Sequence, residues 1–253
     1  MASANPARDI SLDKILRRSF DIVVSAVGLV LLAFPFAVIS LAIKLSSPGP
    51  VLYRQQRIGR SEKPFWLYKF RTMHVSLDGP LITVQGDPRI TRVGKALRRW
   101  KLDELPQLWN VLCGDMSIIG PRPEVERLVR YYTPEQKRLL QGTPGLAGLS
   151  QLVYPHEADV LQGYPNPEEV YRQHLMPRKL AVDLEYERHR TFWSDLLLLA
   201  EIILLSVIGK SYRIDRNFSI PFYKEAPSHP LPSHQCACQS PSNDLRGSPL
   251  RNG

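Results

Sequence analysis

Between Ile22 and Ile43 the chain carries no charged side chain. Read as a helix, this run is about 33 Å long at roughly 1.5 Å per residue, enough to cross the apolar layer of a bilayer. No other feature limits the possible folds as strongly. The run is too long for a signal-peptide core and has no small-residue cleavage site, so it is expected to be retained. Pro35 lies inside it. A proline there offers no N–H to the Leu31 carbonyl and its ring crowds that carbonyl, so a kink is predicted. Charge gives the segment no direction: Lys14, Arg17 and Arg18 precede it, and Lys44, Arg54, Arg57, Arg60 and Lys63 follow. Basic flanks favour the cytoplasmic side of a membrane, so both ends are expected there. A re-entrant helix pair bent at Pro35 meets both demands, and a straight span does not. Asp21, just ahead of the run, is expected to pair with Arg17 or Arg18.

A second stretch, Lys101-Leu-Asp-Glu-Leu-Pro-Gln-Leu-Trp-Asn-Val-Leu112, sets Leu105, Leu108, Trp109 and Leu112 at helical spacing. Asp103 is expected to cap this helix, Pro106 falls in its first turn, and Gly114 supplies the stop. Asp103, Gln107 and Asn110 then share a polar face, with Glu104 beside Asp103. Two adjacent carboxylates at a helix start commonly do no more than cap it. Their surroundings ask for more. Arg98 and Arg99 lie one turn upstream, and Arg122 sits between Pro121 and Pro123, where it can offer a rigid guanidinium fork to a phosphate.

Hydrophobic content of 43% excludes a largely disordered chain. A net charge of +9 points to an anionic partner. The basic residues are spread over many segments and no zinc-finger, basic-zipper or RNP pattern is visible, so phosphate ligands and a lipid surface are expected and nucleic acid is not. Cys113, Cys236 and Cys238 form no disulfide framework and fit a reducing compartment. His234, Cys236 and Cys238 lack a fourth ligand, so no structural metal is expected there. Short strands are expected at Val51–Arg54 and Phe65–Phe70, a type I turn at Asp87-Pro88-Arg89, and a capping box at Thr133–Gln136 opening a helix that ends near Gly142. Helices are expected at Glu168–His174 and Arg178–Arg190, broken at Pro177. The apolar segment Ser194–Ile208, too short to span and carrying Asp195 and Glu201, is expected to lie in the headgroup plane. The implied division is a tail at 1–10, a helix and re-entrant segment at 11–45, a catalytic domain at 46–209, and a proline-rich disordered tail at 210–253.

The Lys101–Leu112 stretch, with Gly114-Asp-Met-Ser117 and Gly120-Pro-Arg-Pro123, resembles the signature of the bacterial sugar transferase family, monotopic phosphoglycosyl transferases. Companion motifs follow in order: Ser47-Pro-Gly-Pro50, Gln56-Arg57-Ile58-Gly59, Tyr68-Lys-Phe-Arg-Thr-Met73, Asp87-Pro-Arg-Ile-Thr-Arg-Val-Gly94 and Pro144-Gly-Leu-Ala-Gly148. The likeness runs from about Arg17 to Gly209. It implies an α+β, mostly helical protein: a re-entrant membrane hairpin, a compact catalytic domain with a small sheet, and amphipathic helices at the interface. It places the protein on the cytoplasmic face of the bacterial inner membrane.

The resemblance also assigns roles. Asp103 would be the covalent nucleophile, attacking the β-phosphorus of a nucleotide-diphosphate sugar, with a uridine nucleotide as the default. Glu104 would hold Mg²⁺, which binds one or two carboxylates together with phosphate. Polyprenyl phosphate would then take the phosphosugar from Asp103 in a ping-pong cycle. Arg122 and Arg98 are the leading phosphate contacts, joined by Lys69, Arg71, Gln56 and Arg57. Sugar specificity is expected in the segments Val75–Gly86 and Leu149–Tyr164. Two rival readings start from the same residues. A membrane-tethered basic binding module for nucleic acid or acidic lipid explains the charge and leaves the Asp103–Glu104 pair without a purpose. A hydrolase of nucleotide sugars would need no lipid acceptor.

Overall fold

The computed structural model describes residues 6–75, 87–155, 157–161 and 164–208. The chain opens with two helices, α1 (Pro6–Leu31) and α2 (Ala33–Ser46), bent by 60° where they meet. The bend falls at Leu32, three residues before Pro35, because it is the Leu31 carbonyl that loses its donor. The neighbouring bonds survive: Leu32 N–H donates to Gly28 O at 2.9 Å and Phe36 N–H to Leu32 O at 2.8 Å. Helix α1 begins at Pro6, so residues 6–10, expected as a loose tail, are helical. No single helix among the described residues is long and apolar enough to cross a membrane; the bent pair has the length and composition only when taken together.

A hairpin follows, β1 (Leu52–Ile58) against β2 (Pro64–Phe70), antiparallel with Leu52 opposite Phe70 and Ile58 opposite Pro64. Both expected strands are present, β1 longer than expected. Asp87-Pro88-Arg89 forms the expected turn, with Ile90 N–H donating to Asp87 O and Arg89 N–H to Asp87 Oδ1. Helix α3 (Arg92–Arg99) is capped by Thr91, whose Oγ1 accepts from Gly94 N–H at 2.8 Å. Gly94 is a requirement of this packing, since a Cβ there would lie 2.0 Å from Thr72 O.

Helix α4 (Gln107–Cys113) ends at Gly114 in the left-handed region, φ 93°, as expected. Its start differs from expectation. Lys101 turns the chain at φ 56°, residues Leu102–Glu104 form a single 3₁₀ turn, and Pro106 occupies the cap position. Asp103 therefore caps nothing and lies a turn ahead of the helix. The faces of the helix are also inverted relative to expectation: Gln107 and Asn110 are buried, at 1% and 0% exposure, while Trp109 of the apolar stripe is 53% exposed. Asn110 explains the inversion. Its Oδ1 accepts from Tyr68 N–H, its Nδ2 donates to Trp66 O, and its own carbonyl accepts from the N–H groups of Gly114, Asp115 and Met116. A buried amide with every bond satisfied locks α4 onto β2.

Strand β3 (Ser117–Ile119) pairs in parallel with β4 (Gly145–Ala147). Gly120 and Gly145 meet backbone to backbone, and a Cβ on Gly145 would fall 2.1 Å from Gly120 N. This approach packs Gly120-Pro121 against Pro144-Gly145, with Gly145 N–H donating to Pro121 O at 2.8 Å. Between the two strands come α5 (Glu126–Val129) and the capping box, in which Thr133 and Gln136 exchange backbone-to-side-chain bonds and open a 3₁₀ helix ending before Gly142. Helices α6 (Leu149–Val153), α7 (Glu157–Val160) and α8 (Pro167–Val170) lead into a π turn at Tyr171–Leu175 and α9 (Met176–His189). The expected break at Pro177 is absent. The wide turn just before it absorbs the missing donor, and the helix continues.

Helix α10 (Phe192–Ile208) packs Leu198 into the core formed by Leu108, Val111, Ile118, Ile119, Leu149, Val182 and Tyr186. Phe20, Val24, Leu29 and Leu32 of the first two helices and their junction press on the same cluster. A second core gathers Leu128, Val129, Leu139, Tyr171, Leu175 and Leu180. Asp21 is buried, yet its Oδ1 accepts from Ile118 N–H at 2.9 Å instead of pairing directly with Arg17 or Arg18 as expected. Arg18 donates to Val111 O and Leu112 O, and Arg17 pairs with Asp13 and Asp195.

Candidate active site

A cavity of about 350 Å³ opens beside the 3₁₀ turn. Asp103 and Glu104 form part of its wall, with Arg57 and Lys69 from the hairpin, Arg98 from α3, Arg122 from beyond β3 and Lys179 from α9. With Lys101 the wall holds six cationic side chains against four carboxylates, Asp103, Glu104, Glu124 and Glu157. The excess is positive, as an anionic ligand requires.

The two neighbouring carboxylates are in opposite states. Glu104 is clamped: Arg122 Nη2 donates to Oε1 at 2.5 Å, Arg122 Nη1 reaches Oε2 at 3.4 Å, and Lys69 Nζ donates to Oε1 at 2.9 Å. Burial alone would push its carboxyl up, but Arg122 and Lys69 together outweigh that and hold it well below the usual range. Glu104 in turn raises the Arg122 guanidinium. Burial lowers the Lys69 ammonium, with Glu104 pulling it back. Asp103 is buried and accepts no hydrogen bond among the described residues. Burial, followed by the Glu104 charge, lifts its carboxyl, and Lys69, Arg98 and Lys101 oppose the lift. One carboxylate is fixed and ionised, and the other is left without a donor to blunt it.

Strand alternation decides which hairpin residues reach the cavity. Arg57 and Gln55 share the face of β1 that meets Lys69 on β2, and all three line it. Gln56 points the other way, opposite Trp66, and lines a separate hollow with Glu62, Glu126 and Lys137. The cavity therefore takes Gln55 in place of the expected Gln56, as the two-residue period of a strand counted back from Arg57 requires. Arg71 also falls outside the cavity. It is buried, and its guanidinium donates to Pro48 O, Ser47 O and Ser47 Oγ, clasping the turn that ends α2. Arg98 lines the cavity with its Nε bonded to Thr72 Oγ1 at 2.9 Å. Arg99 lies beside the exposed Trp100 ring. Asp115 accepts from Asn110 Nδ2 at 3.3 Å.

Several wall residues left no mark in the sequence. Glu124 accepts from Tyr171 OH and meets Arg57 Nη1 at 3.4 Å, and Glu157 pairs with the buried Lys179. Gln151, Tyr154 and Pro155 complete that side. All but Glu124, Lys179 and Tyr171 fall within Leu149–Tyr164, one of the two segments expected to carry specificity; residues 76–86 of the other lie outside those described, as do Cys236, Cys238 and the tail.

Comparison with known proteins gives a consistent result. The bacterial sugar transferase profile matches residues 12–209. The chain is 41% identical over 192 residues to a UDP-glucose:undecaprenyl-phosphate glucose-1-phosphate transferase of Caulobacter vibrioides, covering 74% of this chain and 68% of that protein. A protein of the same name from Escherichia coli K12 is 36% identical over 79% of this chain and 42% of its own length. A UDP-N-acetylgalactosamine-undecaprenyl-phosphate N-acetylgalactosaminephosphotransferase of Aeromonas hydrophila is 33% identical over 77% of this chain and 44% of its own. The chain thus spans less than half the length of the last two.

Proposed function

This chain belongs to the bacterial sugar transferase family, and we propose that it moves a sugar 1-phosphate from a uridine-diphosphate sugar to undecaprenyl phosphate through a phosphosugar carried on Asp103. The relatives named above support the reaction class and the acceptor. Their donors share uridine and differ in the sugar, glucose in two and N-acetylgalactosamine in one. One observation carries the reading: Asp103 stands donor-free in a basic cavity beside a carboxylate that two cations hold fixed.

In the first half-reaction an Asp103 carboxylate oxygen attacks the β-phosphorus of the donor. The bond from that phosphorus to the bridging oxygen breaks, and uridine monophosphate leaves with the electron pair. In the second half a phosphate oxygen of the lipid acceptor attacks the same phosphorus and Asp103 is released as a carboxylate. Arg122, Lys69 and Arg98 neutralise charge on the transferring phosphoryl group. Arg122 and Lys69 rest on Glu104 until phosphates compete for them, so Glu104 keeps them ionised and aimed. Arg57 lies on the same wall, held by Glu124. Magnesium fits this donor set. No cluster of three acidic, His or Cys side chains exists among the described residues, while two adjacent hard-oxygen donors suit an ion that arrives with its phosphates. Glu104, with Asp103 beside it, would hold the ion, which would neutralise charge on the diphosphate.

The first two helices are proposed as a re-entrant hairpin that leaves the cavity on the cytoplasmic face of the inner membrane. Support comes from the bend and from apolar side chains left without protein cover, including Val30, Leu31, Phe34 and Leu45. Exposing such side chains to water costs each roughly 1.5–3 kcal/mol, which lipid would restore. On α10, Trp193, Leu197, Ile203 and Leu204 face outward opposite the buried Leu198, a surface suited to the headgroup region.

Sugar-labelled donor, incubated with and without undecaprenyl phosphate, tests the function. Lipid-dependent transfer of label is expected. Repeated turnover to free labelled sugar phosphate without lipid, beyond the one equivalent carried on Asp103, would instead make the protein a hydrolase, and inertness would leave a binding module.

A further inference from the structure

The wall of the cavity is of two chemical kinds. Around Asp103 and Glu104 it is charged and its groups answer one another. Along α6 it is neutral, and there the groups have no answer. Tyr154 OH and Gln151 Oε1 are both closed off from water, and neither has a hydrogen-bond partner. The rest of the Gln151 carboxamide makes no hydrogen bond either, among the described residues. Buried polar atoms without partners are uncommon in native proteins, because each gives up its water without replacement. Of the five such atoms among the described residues, these are the two whose residues line the cavity, Gln151 within α6 and Tyr154 just past its end, where the backbone has left the helix.

The scaffold behind them is firm. Ser150, between Leu149 and Gln151, donates from its N–H and its Oγ to Asp183 at 3.1 and 2.8 Å, which anchors α6 to α9. The Tyr154 ring packs where the two cores meet, touching both. The phenol and the carboxamide each carry donor and acceptor capacity and no charge. That matches a hydroxyl-bearing group and is a poor match for phosphate, which the cations already serve. The sugar is the variable, neutral part of the donor, and α6 begins just past Gly148, where the shared motifs end.

We infer that Gln151 and Tyr154 read the hydroxyl pattern of the donor sugar and are specificity-determining residues for the transfer. This rests on the transferase reading above. A site built to bond a hydroxyl discriminates by leaving its own buried groups unpaired when the hydroxyl is missing or inverted. The free protein has these groups unpaired already, so the matching sugar relieves them and an epimer does not.

The test uses the full chain in detergent or nanodiscs, with undecaprenyl phosphate and a panel of UDP-glucose, UDP-galactose, UDP-N-acetylglucosamine and UDP-N-acetylgalactosamine. Tyr154→Phe and Gln151→Leu are compared with the wild type for kcat/KM on each donor, for inhibition by UMP, and for thermal midpoint. Tyr154→Phe is expected to melt no lower than wild type, since it deletes a hydroxyl that bonds nothing. Its kcat/KM for the preferred sugar should fall roughly tenfold or more, its preference among epimers should collapse, and UMP should inhibit it as before. Gln151→Leu should narrow the same preference. Unchanged ratios among the four sugars in both variants would overturn the inference while leaving the transferase reading intact. So would weakened UMP inhibition in parallel with kcat/KM, which would put the nucleoside against α6, or a lowered midpoint in Tyr154→Phe, which would mean the hydroxyl has a structural partner. A wild type that transfers none of the four sugars would overturn the transferase reading, and this one with it.

Discussion

Asp103 and Glu104 are neighbours in sequence and opposites in environment. The difference comes from the 3₁₀ turn, which sends consecutive side chains in different directions: Glu104 toward Arg122 and Lys69, Asp103 into the cavity without a donor. Asp103→Asn keeps the shape and removes the proposed nucleophile, so transfer should fall to background while the protein stays folded. Intact-mass analysis after incubation with UDP-sugar alone should show a phosphosugar adduct on the wild type only; substantial transfer by the Asn variant would remove Asp103 from the chemistry. The pH dependence follows from the same pair. As the proposed nucleophile Asp103 must be a carboxylate, and burial and then Glu104 raise its pKa, so activity should be lost on the acid side as Asp103 takes up its proton. Glu104→Gln deletes a raising charge and frees Arg122 and Lys69 to stabilise the Asp103 carboxylate. The acid limb of its pH–rate profile should move to lower pH, even as the maximal rate falls by about 10²-fold for loss of the aimed cations. An acid limb that stays put or moves up would mean that Glu104 does not act on Asp103.

At the scale of elements, the bent pair of helices is tied to the site through α4. Arg18 of α1 donates to the last carbonyls of α4, Asp21 holds the backbone of β3, and a Cβ on Gly28 would already lie 3.1 Å from Leu108. The apolar helix is therefore packed against the elements that hold the cavity on one side and bare on the other. If the pair re-enters, cysteines placed at Ala7 and at Ser61 should both resist a membrane-impermeant thiol reagent in intact cells and both react after lysis, with Cys113, Cys236 and Cys238 first changed to Ser. Pro35→Leu returns an N–H to the Leu31 carbonyl and removes the reason for the bend, so a through-crossing should compete. The Ala7 site should then label from outside in a measurable fraction of molecules, with activity falling in the same proportion. Outside labelling of the Ala7 site with Pro35 in place would mean a simple spanning anchor.

For the molecule as a whole, α9 is the element that both cores share, contributing Met176 and Leu180 to one and Val182 and Tyr186 to the other. Asp183 sits between them on the same helix. Burial pushes its carboxyl up to about 7, against the two bonds from Ser150. Its folded pKa therefore lies above the unfolded value of 3.8, and an acid raised in this way favours the folded state when protonated. The unfolded chain releases its proton first as pH rises, so this group costs the fold up to about 1.4 kcal/mol per pH unit between the two values. Above pH 7 the cost stops growing. Asp183→Asn keeps an acceptor for Ser150 N–H and removes the titration, so its thermal midpoint should be flatter than wild type between pH 4 and 7. Equal slopes in the two proteins would mean that Asp183 is ionised throughout that window.

The same scale separates what the sequence determined from what folding decided. Local chemistry was legible: Pro35 bends the apolar run because a missing N–H needs no context, Gly114 stops α4 in the left-handed region, the Thr133–Gln136 box closes, and Asp87-Pro88 turns the chain. The neighbourhood of Asp103, Glu104, Arg98, Arg122, Lys69 and Arg57 was legible too, because ordered motifs carried it. Tertiary structure alone decided which groups answer each other. Gln107 and Asn110 look like a solvent face and are the buried face, since Asn110 finds backbone partners on β2 that helical periodicity cannot reveal. Arg71 reads like Lys69 two residues earlier, yet it lies past the end of β2 and is consumed by the carbonyls of Ser47 and Pro48. Gln151, Tyr154 and Lys179 reach the cavity only because α6 and α9 pack across it. Spacing along the chain fixes what a residue can do by itself, whereas burial and pairing are set by residues far away in sequence, and those determine which carboxylate is clamped and which is left without a hydrogen-bond donor.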